Sequence, residues 1–400
     1  MLIELLLALV LGLIAGTITG LAPGIHINLV ALLLLISSAF FLQFTSPIVL
    51  ACFIVAMATA HSFLDFIPSI FLGAPEESTA LSVLPGHRML LKGKGYEACR
   101  LTTIGCYLGI ISLFILIPLF IIILPPIYES FNFLVPFLLI IASAFLIIKE
   151  KRPFPALALF LLAGILGIFT LEFYMIKQPL FPLLTGLFGA STILVSIKQK
   201  TKLPKQKITN EGIEGKKLFS ILNSSIISSS LCAFLPGLGA SQAAVLSTSV
   251  KKDHENEKSF LILLGAISTL VTGLNFAALY ILDKPRSGTG IIIQQFLQEI
   301  TLNQLALLII VMLVAGSIAV FLSISAAKIF ANNISRINYT KMNFVVLMIL
   351  VAMSIIISGW LSLLILITAT ALGILAINSG VKRIQLMGCL IVPVIMYFLI

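Results

Sequence analysis

Two Pro-Gly pairs sit inside long apolar runs, and polar side chains follow each. His26 and Asn28 stand after Pro23 and Gly24; Gly239, Ser241 and Gln242 stand after Pro236 and Gly237. Proline removes a backbone donor and glycine tolerates turn geometry, so each pair breaks a helix. The helix starting beyond a break aims its N-terminal N–H groups at the break, where they favour an anion. The polar neighbours read as substrate or ion contacts, or else as hydrogen-bonding caps of the broken helices. His61 and Asp65 are four apart on one helical face and form either a proton-carrying pair or a neutral structural one. Glu76 and Glu77 follow Pro75, where they suit the start of a short helix or, alternatively, cation coordination or gating. Thr272 and Asn275 lie mid-run and are candidates for the same cavity, whereas His87 reads as a solvated side chain.

The elements that must position these residues are hydrophobic. The chain has 400 residues, 60% hydrophobic and 10% charged, with mean hydropathy +1.17. A soluble domain would carry about a quarter charged residues. Apolar runs of about 20 residues recur from end to end, each long enough to cross a bilayer. They are continuous rather than alternating, which excludes a β-barrel. The expected fold class is an all-α integral membrane protein with about 10–14 hydrophobic segments, placed in the cytoplasmic membrane. The formal charge of +10 reads as basic cytoplasmic loops rather than nucleic-acid binding. Residues 1–87 contain no Lys or Arg, so the first segment lacks the basic start of a cleaved signal peptide and reads as a first membrane helix. The five cysteines are scattered without metal or disulfide spacing and read as small buried hydrophobes.

Candidate spans in the first half are 2–21, 24–43, 47–71, 101–124, 131–148, 154–172 and 178–197; in the second they are 218–235, 237–250, 259–282, 304–327, 342–358, 360–377 and 384–400. The lists match in order, with a longer polar loop after the third member, 73–100 and 283–303. Gly12, Gly16, Gly20 and Gly24 are spaced by four, as are Ser225, Ser229, Ala233 and Gly237, with Pro23 opposite Pro236. Such stripes let helices approach closely in lipid. Basic clusters at 88–100, 149–152, 198–217, 251–258, 328–341 and 382–383 can all be placed inside without contradiction. The loop at 125–130 then falls outside and its partner at 328–341 inside. The expected organisation is a first inverted repeat at 1–197, a basic cytoplasmic linker at 198–217 and a second inverted repeat at 218–400. Inverted repeats with broken helices mark secondary transporters, with the breaks near the bilayer midplane.

"GLAPGIHIN" (20–28), "IFLGAPEESTALSVLPGH" (70–87) with "KGKGYEA" (92–98), and "FLPGLGASQAAVLS" (234–247) together resemble the TctA-like permease family, within it the archaeal branch known as DUF112. The resemblance implies a secondary carrier similar to the large membrane subunit of tripartite tricarboxylate transporters, which works with a small membrane subunit and a periplasmic solute-binding protein. It also suggests a distant relation to polyprenyl-phosphate translocases. The chain departs from those permeases in its shorter length, in "APEES" after Gly73 and in His26. The leading expectation is transport of an organic anion, of di- or tricarboxylate type, coupled to H+ or Na+. A polyprenyl-phosphate-type lipid anion is the alternative substrate, and a channel or non-transporting assembly subunit the alternative class. An enzyme is not expected. There is no H-E-x-x-H and no G-x-x-x-x-G-K-[ST], "GASQA" (239–243) only half resembles a G-x-S-x-G elbow, and no second membrane aspartate partners Asp65. No metal, cofactor or nucleic-acid partner is implied, and the expected partners are the substrate anion and membrane lipids.

Overall fold

The computed structural model describes the chain except residues 1, 23–26, 75–78, 133, 174, 177, 199–202, 211, 213, 235–238, 251–255, 335–338 and 400. The described residues are helical. In the first half, α1 (Leu2–Leu21), α2 (Ile27–Ile36) and α3 (Ser38–Phe41) precede α4 (Pro47–Leu64) and α5 (Phe66–Leu72). There follow α6 (Val83–Leu91), α7 (Gly95–Asn132), α8 (Val135–Ile148) and α9 (Pro153–Glu172). Next come α10 (Leu180–Leu184), a π-helical turn (Thr185–Ala190) and α11 (Ser191–Lys198). The second half holds α12 (Gly215–Phe234), α13 (Ala240–Val250), α14 (Glu257–Ile281), α15 (Gly288–Leu297), α16 (Leu302–Ile334), α17 (Tyr339–Ser358) and α18 (Ser362–Ser379). A 3-10 turn (Arg383–Met387) then leads into α19 (Gly388–Leu399). Among the described residues, eight helices are long and apolar enough to cross a membrane, and three shorter apolar helices accompany them. This is an integral membrane protein that crosses the bilayer several times.

Three sequence expectations are corrected. The segment 24–43 is not one unbroken helix: among the described residues it holds α2, of 10 residues, and the four-residue α3. The segment 125–130 is not a loop, since α7 runs on through Pro125 and Pro126 for 38 residues. The polar loops 73–100 and 283–303 each hold a helix, α6 and α15.

Small residues set the closest contacts, as their spacing predicts. α1 lies parallel to α4, and a Cβ added at Gly12 would stand 2.6 Å from the Phe53 carbonyl oxygen, one at Gly16 2.3 Å from that of Met57. The matching Ser225, Ser229 and Ala233 of α12 are fully buried, and α12 packs on α14. α7 and α14 touch backbone to backbone: a Cβ at Gly105 would meet the Ile262 oxygen at 2.0 Å, and one at Gly265 the Thr102 oxygen at 2.1 Å. The helices form two groups. α1, α4, α5, α7, α12, α14 and α16 pack on one another, and so do α8, α9, α10, α11, α17, α18 and α19. α13 bridges them by touching α8 and the Arg383 turn, and the short 3-10 turn Ala80–Ser82 touches the π-helical turn.

Candidate functional site

The site begins where α1 and α2 meet. Thr45 at the start of α4 donates to Glu4 near the start of α1, at 3.2 Å. At the other end, Gly20 lies against Leu64 and Asp65. α5 carries the neighbouring helix on to Leu72, about 12 Å farther. The end of α1 therefore lies level with His61 and Asp65, short of the end of α5. Pro23, Gly24 and His26 lie outside the described residues, as do Pro236, Gly237, Glu76 and Glu77.

His61 and Asp65 are 4% and 3% exposed. The imidazole Nε2 is 4.0 Å from the Asp65 carboxylate, and Nδ1 is 3.0 Å from the Thr19 hydroxyl. This ties α1 to α4 just before the break, through a threonine that sequence reasoning did not single out. A buried carboxylate one turn from an imidazole can hold or release a proton. The helix is interrupted at Asp65, between α4 and α5, where Pro68 cannot donate to Leu64, and Gly73 ends α5 at φ +65°, with Ala74 N–H bonded to the Pro68 carbonyl at 3.2 Å. Hydroxyls stitch the surrounding helices. Thr269 donates to the Cys106 carbonyl at 2.8 Å, and Ser323 donates to that of Phe63 at 3.2 Å and meets Thr103 at 2.9 Å.

Asn28 sits at the start of α2 beside Gly288, where an added Cβ would lie 2.7 Å from its side chain. The first break is thus joined to the second-half segment that begins α15. Gln242 uses its Oε1 to accept from the Gly239 N–H at 3.0 Å. That is the reach-back half of a capping box, so this residue caps α13. Ser241 is buried beside it. Asn275 is buried in α14, and among the described residues nothing bonds its Oδ1. The structure brings His61 and Asp65 together.

A second polar centre lies at the end of the molecule where the basic segments meet. Lys92 pairs with Glu257 at 2.8 Å, and Arg152 donates to the Ser379 carbonyl at 3.3 Å. The linker is anchored there: Gln206 accepts from Gly95 N–H at 2.9 Å and donates to the Leu90 carbonyl at 3.1 Å. His87 is not solvated but 8% exposed. Burial, helped by the nearby Arg383 charge, pulls its pKa down to about 4. Arg383, a residue sequence reasoning counted only as a topology signal, is 4% exposed. It donates to Thr192, to Ser191 at 2.7 Å and to the Leu187 carbonyl, with the Phe188 ring 5.2 Å away. No local pattern could have revealed it, because its partners lie 191 residues or more earlier in the chain.

The model of the Tripartite tricarboxylate transporter TctA family matches residues 6–388. The chain belongs to the TctA family. TctA proteins are transporter permeases and not enzymes. The chain is similar to the "Uncharacterized protein MJ1079" of Methanocaldococcus jannaschii, at 33% identity over 393 residues, covering 95% of each chain. No solved structure matches it. The family implies the partners of a tripartite system in general.

Proposed function

We propose that the protein is a secondary transporter that carries a di- or tricarboxylate-type anion across the cytoplasmic membrane, coupled to H+ or Na+. The anion lies between the ends of two broken helices, with Asn28 and Gly239, Ser241 and Asn275 around it. Gln242 holds α13 in place. Pro23, Gly24, His26, Pro236 and Gly237 form the breaks, and His61 and Asp65 carry the coupling ion, with Glu76 and Glu77 near its path. The observation that supports this reading is the depth at which α1 ends, level with a buried Asp65 and short of the end of α5. Non-helical backbone at such depth is tolerated where it lines a cavity or is buried in protein.

The helix pairings support two inverted repeats, 1–197 and 218–400 about the linker 198–217. α1 packs on α4 as α12 packs on α14, and α7 packs on α14 as α16 packs on α4. In each exchange a helix of one half takes the place of its counterpart in the other. The bridge through α13 leaves the two helix groups a narrow seam along which one could rock against the other, as alternating access requires.

The test is uptake of labelled citrate by proteoliposomes holding the purified chain, with imposed proton or sodium gradients. Gradient-driven, saturable uptake is expected, lost in Gly24→Leu and Gly237→Leu while both variants remain inserted. Full uptake in both variants would refute the breaks as the site. Uptake without saturation or gradient dependence would make the protein a channel. A requirement for added binding protein would show that the tripartite partners are needed.

A further inference from the structure

A cavity of about 460 Å³ lies around Arg383, and among the described residues none lining it belongs to α1, α2, α12 or α13. Its polar wall is basic, formed by Arg88, Lys382 and Arg383. Glu257, the carboxylate that lines it, is taken by Lys92. Among the described residues, no carboxylate pairs with Arg383 or Arg88. Among the described residues, Arg383 donates to neutral oxygens and nothing accepts from its Nε–H. A buried guanidinium without a counter-charge is costly, and five fixed donors suit an oxyanion. The rest of the wall is apolar, with Leu146, Phe188, Phe260 and Ile377. The basic segments around the cavity put it at the cytoplasmic end by the positive-inside rule.

We infer that this cavity binds a phosphate group, with Arg383 and Arg88 gripping its oxygens and the apolar wall receiving whatever the phosphate is attached to. Basic pockets between membrane helices on the cytoplasmic side suit anionic lipid headgroups. A free phosphate offers the same oxygens without the apolar part. The site stands whether or not the Pro-Gly breaks hold the transported anion.

The test is binding to the purified full chain in neutral detergent, by native mass spectrometry and thermal shift. The probes are phosphatidylglycerol, phosphatidylcholine, inorganic phosphate and citrate. Phosphatidylglycerol is expected to bind at least tenfold more tightly than phosphatidylcholine, and Arg88→Gln to weaken it about tenfold, the loss of one charge-assisted contact. Arg88 is exposed at the cavity mouth, so this variant folds even if Arg383→Gln does not. Phosphate binding equal to that of the lipid, and equally weakened by Arg88→Gln, would support the site with a soluble phosphate as its source. Equal binding of the two lipids without phosphate binding would overturn the proposal. So would binding that Arg88→Gln leaves unchanged. Citrate binding with neither phosphate probe active would also overturn it, by assigning the cavity to a carboxylate.

Discussion

Replacing His87 gives the sharpest test of the cytoplasmic end. Its pKa falls from an ordinary 6.5 to about 4, chiefly by burial and then by the charge of Arg383. The depressed value means that the folded protein resists a proton that the unfolded chain accepts. Stability from His87 is fully present above pH 6.5 and is lost as pH falls toward 4. At pH 4.5 the linkage amounts to about 2–3 kcal/mol. The perturbation is His87→Gln, which is close in size and does not titrate. The assay is unfolding by sodium dodecyl sulfate in mixed micelles, followed by circular dichroism, for both proteins at pH 7.5 and 4.5. The wild type should lose about 2–3 kcal/mol more than His87→Gln between those two values. Parallel losses would refute the reasoning and return His87 to the solvated position that its sequence neighbourhood suggests.

Further outcomes are expected elsewhere. Gly265→Leu should destabilise the protein by about 1–3 kcal/mol or more through overpacking, whereas Gly212→Leu, with open space around its Cβ, should not; equal melting temperatures would contradict the α7–α14 crossing. Gln242→Leu should cost about 1 kcal/mol by removing the Gly239 cap, and Gln242→Glu should restore it, as measured by denaturation in detergent. Gln206→Ala should free the linker, speeding trypsin cleavage within 198–217 severalfold without changing the core melting temperature. Asp65→Asn should flatten the pH dependence of citrate uptake if Asp65 carries the coupling proton; an unchanged pH profile would remove it from that role.

Much of the architecture was legible in the sequence because the signals were long. Apolar runs and the spacing of Gly12, Gly16 and Gly20 depend on many residues read together, and these packed as their pattern predicts. The end of α2 was not legible, since only Ser37 and Ser38 interrupt the apolar run where α2 gives way to α3. Hydropathy cannot distinguish a span from the return arm of a hairpin. The His61–Asp65 pair followed from helical spacing, whereas the Thr19 contact, 42 residues away, did not. For Gln242 the sequence left a contact and a cap both open, and the bond from Gly239 N–H shows the cap. Arg383 was opaque because its burial is produced by α11 and the π-helical turn, which no local pattern ties to it.

The backbone contact between α7 and α14 also bears on synthesis. Thr269 follows its partner Cys106 by 163 residues. At 5–20 residues per second, α7 enters the membrane about 8 to 30 s before α14 exists. During that interval the flat face around Gly105 and Gly109 stands open to lipid or to whatever helix passes by. Insertion therefore has to be followed by a search, and the first half must remain loosely assembled until the second arrives to close it.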